Sequence, residues 1–118
     1  MSDDLPVLDL TMLEEVYEDD VAGMVELLDI AQRTVQAAVP RLHDAIAAAD
    51  LEAVRAAAHG IKGALGNVGG HAASAVASAI EQHARRGEWE PVPGLANELD
   101  SALARFDTAI ASYRASVS

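Results

Sequence analysis

Cysteine is absent from the 118 residues, which excludes a disulfide scaffold, a thiolate zinc site and a cysteine nucleophile. Positive charge is scarce. Eight Lys and Arg stand against 19 Asp and Glu, a formal net charge of −11. Sequence-independent binding to nucleic acid or to an anionic membrane needs a basic face, and this balance argues against both. Aromatic side chains are limited to Tyr17, Trp89, Phe106 and Tyr113. No apolar run approaches the roughly 20 residues of a membrane span. The opening MSDDLPVLDL is acidic where a secretory leader is basic. The expectation is an acidic, soluble, cytoplasmic chain, with residues 1–118 forming one domain.

What the chain has in abundance is alanine, 25 residues of it, the strongest helix former. No segment alternates apolar and polar residues in the manner of a strand. Apolar positions recur at helical spacing through Val21, Met24, Leu27, Leu28, Ala31, Val35, Ala38, Leu42 and Ile46. The pattern predicts a short helix over residues 10–17 with Asp9 as its cap, and a long one over 20–49. Pro40 is expected to kink or break the long helix. Asp50 reads as the cap of a third helix over 51–68. Gly69-Gly70 stops that helix, because both residues tolerate positive φ. A fourth helix is expected over 71–86, ended by Gly87. A loop holding Pro91 and Pro93 spans 89–94, and a fifth helix covers 95–114. Four such helices joined by short loops describe an all-α, antiparallel, up-down-up-down four-helix bundle with an additional short N-terminal helix.

One stretch departs from this economy. Residues 58–70 read AHGIKGALGNVGG. They place Gly60, Gly63 and Gly66 inside a helix, where each glycine costs about 0.5–1 kcal/mol relative to alanine. At about 100° per residue, Lys62 lies to one side of His59 and Gly63 to the other, with Gly66 nearly in line two turns on. One face therefore combines a histidine, the chain's single lysine and a strip of bare backbone that another surface can approach closely. The glycines do not form a nucleotide-binding loop, because they sit within a helix and follow no strand.

The run His59-Gly60-Ile61-Lys62-Gly63, with Gly66 and Gly69, resembles the signature of histidine-containing phosphotransfer (HPt) domains. It is also similar to the P1 domain of chemotaxis histidine kinases. The lead-in AADLEAV at residues 48–54, and the Ile80-Glu81-Gln82 and Arg85-Arg86-Gly87-Glu88 runs, extend the likeness over roughly residues 8–115. The resemblance implies a phosphocarrier without its own nucleotide site. His59 Nε2 would accept a phosphoryl group from a receiver-domain aspartate or a kinase, and pass it to a response-regulator receiver. Lys62 would offset charge on the phosphoryl group, while Gly63 and Gly66 keep the approach open to a docking partner. The implied partners are receiver domains and a sensor histidine kinase. The chain itself is expected to need no cofactor, since Mg2+ belongs to the receiver.

A further residue follows from the reversal at Gly69-Gly70. His59 lies eleven residues before Gly70 and Glu81 eleven after it, so the two are expected at similar heights on paired helices. A carboxylate there would hold the Nδ1–H tautomer and free Nε2, as an orienting acid does in a catalytic triad. The alternative is that Glu81 pairs only with Arg85, one turn on, at a solvated face. His43, His71 and His83 show no metal-ligand spacing, and no metal site is expected.

Charge is unevenly distributed. Residues 41–86 carry five basic and four acidic side chains, a net of +1, and the remainder three basic and fifteen acidic, a net of −12. Arg55, one turn before His59, and Lys62 make the His59 region suitable for an acidic receiver site. The short N-terminal helix is expected to pack over one end of the bundle near the histidine. Three readings stay open: a free-standing phosphorelay protein, which Met1 and the short tail after Arg114 favour; a phospho-accepting module of a hybrid or chemotaxis kinase; and a non-catalytic helical adaptor. A monomer is the default expectation.

Overall fold

The computed structural model describes residues 5–118; residues 1–4, the first part of the acidic opening, lie outside it. Five helices follow in order: α1 (Thr11–Tyr17), α2 (Val21–Ala47), α3 (Leu51–Asn67), α4 (His71–Arg85) and α5 (Val92–Val117). Among the described residues there is no strand. Aspartates start three of the helices. Asp20 Oδ1 accepts from the Gly23 N–H at 2.9 Å and Asp50 Oδ1 from the Ala53 N–H at 3.1 Å. Asp9 acts one residue ahead of the cap position, accepting from the Thr11 N–H at 3.0 Å. Each satisfies an amide that the first helical turn leaves without a partner.

No break occurs at Pro40: α2 runs from Val21 to Ala47 as one helix. The missing N–H deprives the Gln36 carbonyl of its helical donor, but Gln36 and Pro40 both face solvent, where water replaces that donor. Val35 before the proline and Leu42 and Ala45 after it are all buried in one core, and this packing carries the helix across. α5 begins at Val92, inside the expected loop, with Pro91 at its cap and Pro93 in its first turn. A first-turn proline loses no helical bond, and the fully buried Val92 anchors the start.

The bundle is antiparallel, up-down-up-down. α3 and α4 share the most extensive interface, α2 packs on α3, α5 on α4, and α5 closes back on α2. Large side chains such as Phe106, Met24, Leu28, Ile61, Leu65 and Ile80 fill the centre. The fully buried Ala58 and Ala77 and the nearly buried Ala73 let α3 and α4 approach closely. With 27 and 26 residues, α2 and α5 outlast α3 and α4, with 17 and 15, by roughly 15 Å.

The N-terminal segment occupies the step this difference creates. The Asp9 N–H donates to the Gly69 carbonyl at 2.9 Å, and the Ala72 N–H donates to the Pro6 carbonyl at 2.9 Å. The chain thus straps the α3–α4 turn and caps the first turn of α4. α1 then lies against α2 with Leu13 buried. The short helix covers the turn end of the bundle, ten residues along α3 from His59.

Gly69 and Gly87 share a left-handed backbone, φ +80 and +75, in different surroundings. A β-carbon on Gly69 would fall 1.8 Å from the Asp9 carbonyl oxygen, whereas nothing lies within 4 Å of one on Gly87. In urea unfolding, Gly87→Ala is expected to destabilise by about 1 kcal/mol. Gly69→Ala should destabilise by at least about 3 kcal/mol, because the strap must also be displaced. Equal losses would show that the strap contributes nothing.

Candidate functional site

α3 and α4 bring three of the sequence-derived residues together. His59 projects from the middle of α3 with 61% of its side chain exposed. Glu81, opposite it on α4, is 2% exposed as a residue and is the single buried charged residue among those described. Glu81 Oε2 lies 2.8 Å from His59 Nδ1. An ionised carboxylate can only accept, so His59 Nδ1–H donates and Nε2 is the ring nitrogen that Glu81 does not engage. Lys62 Nζ lies 2.6 Å from Glu81 Oε1, and Arg85 donates to Oε2 at 2.9 Å.

A carboxylate withdrawn from water loses several kcal/mol of hydration. Here one imidazole N–H and two permanent cations replace it. The Lys62 hydrogen bond, followed by that from His59, holds the Glu81 carboxyl below its ordinary range against the opposing effect of burial. One anion therefore serves two fixed cations. The surplus positive charge sits beside an exposed imidazole, an arrangement suited to a nucleophile that receives an anionic group.

The glycines divide into two kinds. β-carbons on Gly60 and Gly63 would meet nothing within 4 Å, whereas one on Gly66 would lie 3.9 Å from Ser74 Oγ. Gly60 and Gly63 thus form the open strip, and Gly66 belongs to the seam with α4. Ser74 Oγ–H donates across that seam to the Lys62 carbonyl at 3.2 Å.

Arg55 does not project as a free cation. Its guanidinium holds Glu52 through two nitrogens, the closest contact being 2.6 Å. Each partner shifts the other: the Glu52 carboxyl is lowered and the Arg55 guanidinium raised, first by their hydrogen bonds. Both contacts weighed for Glu81 in the sequence are present together: Arg85 joins His59 on the carboxylate instead of replacing it. The Lys62 contact with Glu81 was not read from the sequence, because a lysine's reach along a neighbouring helix depends on helix separation. The other histidines lie apart, His43 with Asp100 at 3.1 Å and His83 with Glu88 at 2.7 Å.

Comparison with known proteins gives a family and a fold. Residues 26–109 match the family model described as Hpt domain. The crystal structure of histidine-containing phosphotransfer protein B (HptB) from Pseudomonas aeruginosa PAO1 is similar, with a TM-score of 0.82 and 31% sequence identity, over 92% of this chain and 95% of that one. No curated protein matches the chain.

The lowered Glu81 carboxyl sets a pH dependence. A group whose pKa falls on folding stabilises the native state fully above its unfolded value, and that stabilisation disappears as pH falls through the folded one. Urea unfolding of wild type and Glu81→Gln should differ at pH 7, with the wild type more stable. The gap should narrow below about pH 4.5 as Glu81 protonates. A gap independent of pH down to 3 would mean that the ionised carboxylate does not stabilise the fold.

Proposed function

The chain belongs to the Hpt domain family of histidine phosphotransfer proteins, and from that premise we propose that His59 is its phospho-acceptor, reversibly carrying a phosphoryl group between receiver-domain aspartates. The observation that carries this reading is the 2.8 Å pairing of His59 Nδ1 with the buried Glu81 beneath an exposed ring.

In the forward step the Nε2 lone pair attacks the phosphorus of an aspartyl phosphate. The N–P bond forms as the acyl O–P bond breaks, and the aspartate leaves as a carboxylate. Nδ1 keeps its proton throughout. The phosphorylated ring then carries positive charge, which Glu81 stabilises as a fixed acceptor. Lys62 is half-buried, with its ammonium on the same carboxylate that holds the ring, and offsets charge on the transferring group. Gly60 and Gly63 leave backbone-level clearance for the donor domain. Mg2+ resides on that domain, and the carrier supplies the imidazole and its orientation. The partners in this reading are receiver domains and a sensor kinase, in the cytoplasm, with the carrier acting as a monomer.

Incubation with a phosphorylated receiver and Mg2+ should leave acid-labile, base-stable label on the wild type and none on His59→Gln. An unlabelled wild type, or equal label on the variant, overturns the assignment. Glu81→Ala should slow transfer about 10- to 100-fold, the usual effect of losing a carboxylate that orients a histidine, with helicity and receiver affinity near wild type. An unchanged rate removes the orienting role.

A further inference from the structure

The four helices close as a ring, α2–α3–α4–α5, so the α2–α5 seam lies diagonally across from the α3–α4 seam that holds His59 and Glu81. It is the sparsest of the four interfaces. Two polar bridges span it. His43 Nε2 lies 3.1 Å from Asp100 Oδ1, and Gln32 Nε2 donates to Asp107 Oδ1 at 2.9 Å. Between them lies an open groove of about 340 Å³. Val35, Val39 and Leu103 give it an apolar floor, and Ala104 keeps the α5 wall low. Both charged residues on its lining, Asp100 and Asp107, are acidic. Neither pairs with a Lys or Arg among the described residues. Gln36 and Pro40 line the α2 wall, where the proline has removed the helical donor of the Gln36 carbonyl. The groove therefore presents an apolar strip flanked by negative charge that no permanent cation offsets.

We propose that this groove docks a basic amphipathic helix of a partner protein, with Arg or Lys at positions i and i+7 around apolar residues at i+3 and i+4. Asp100 and Asp107 stand two turns apart on α5, about 10 Å. A second helix laid along the groove spaces its i and i+7 side chains by the same distance on one face, with i+3 and i+4 between them over the apolar floor. An extended strand does not match. Its residues three apart span about 10 Å but point to opposite faces. The charge of the occupant follows from the rim, because two carboxylates without a permanent counter-ion attract a cation and repel an anion. The long stems of Arg or Lys also cover apolar wall while their heads reach the aspartates. The seat leaves His59 uncovered, so the occupant governs where the chain is held and takes no part in chemistry at the ring. This role is separate from the phosphocarrier reading and does not depend on it.

The probe is a synthetic alanine-and-glutamine helix of about 18 residues, with Arg at i and i+7 and Leu at i+3 and i+4, titrated into the full chain and followed by amide NMR shifts. A second peptide carries Glu in place of both Arg. With the Arg peptide, signals of residues 35–40 and 100–107 should move and that of His59 should stay in place. The Glu peptide should move none of them. Asp100→Asn combined with Asp107→Asn should weaken binding about tenfold at low salt, as loss of two exposed ion pairs would, and the deficit should shrink as salt screens the charges. Ala104→Arg, which fills the groove from an exposed position, should abolish binding. Glu26→Gln combined with Glu98→Gln makes the same charge change on α2 and α5 outside this groove and should bind as wild type. Shifts centred elsewhere, equal binding of the Glu peptide, or wild-type affinity in the Asp100→Asn, Asp107→Asn chain would each overturn the proposal. So would movement of the same signals on concentrating the chain alone, which would assign the groove to a second copy.

Discussion

A single carboxylate, withdrawn from water between two helices, sets the terms for the rest of the molecule. Glu81 can remain ionised in that position only if its oxygens are fully engaged. His59, Lys62 and Arg85 reach them from two helices. That demand fixes the register of α3 against α4, since a shift of one residue on either helix would rotate a donor away. It fixes the helix separation too, which is why small residues such as Ala58, Ala73 and Ala77 fill the contact. The same carboxylate decides which imidazole nitrogen is held against α4. A change at Glu81 therefore touches both the packing of α3 on α4 and the setting of His59.

Register requires a firm reversal, and the chain provides it away from the site. Gly69 adopts a left-handed backbone directly under Asp9, and Gly70 packs against Phe106 of α5 and Leu65 of α3. The N-terminal strap closes over this turn with two backbone hydrogen bonds. The long overhang of α2 and α5 gives the strap and α1 a surface to rest on, and Tyr113 contacts Met24 across that overhang. Elements distant from His59 thus act on it through the hairpin they hold in place.

Charge divides the surface according to the same plan. The acidic residues concentrate in the flanks, while the helices around His59 are close to neutral and their cations largely tied to carboxylates. Net charge accordingly describes the outer faces and says little about the one around His59. The small residues there do two jobs. Within the bundle they permit close helix packing, and between α2 and α3 they leave a groove that ends at Gly60, next to His59 in the chain, with Arg41 as its one charged lining residue.

Much of this was legible in the residues. The aspartate caps, the Gly69-Gly70 stop and the helical apolar spacing placed the helices to within a few residues. The spacing of His59, Lys62 and Gly63 marked the site, and counting outward from the turn brought Glu81 opposite His59. The misplacements share a cause. Pro40 and Pro91-Val92-Pro93 were read by local preference, but burial of Val35, Leu42, Ala45 and Val92 outweighed it. Arg55 and Lys62 were placed without their carboxylate partners, Glu52 and Glu81. Gly66 read as open backbone and lies in the α4 seam. The sequence by itself determined which residues lie on a common face and where the chain must turn, because these follow from helical periodicity and local backbone sterics. Only the tertiary structure decided which charges meet, which glycines stay open and which nitrogen of His59 is free, because those depend on the distance between helices that packing alone sets.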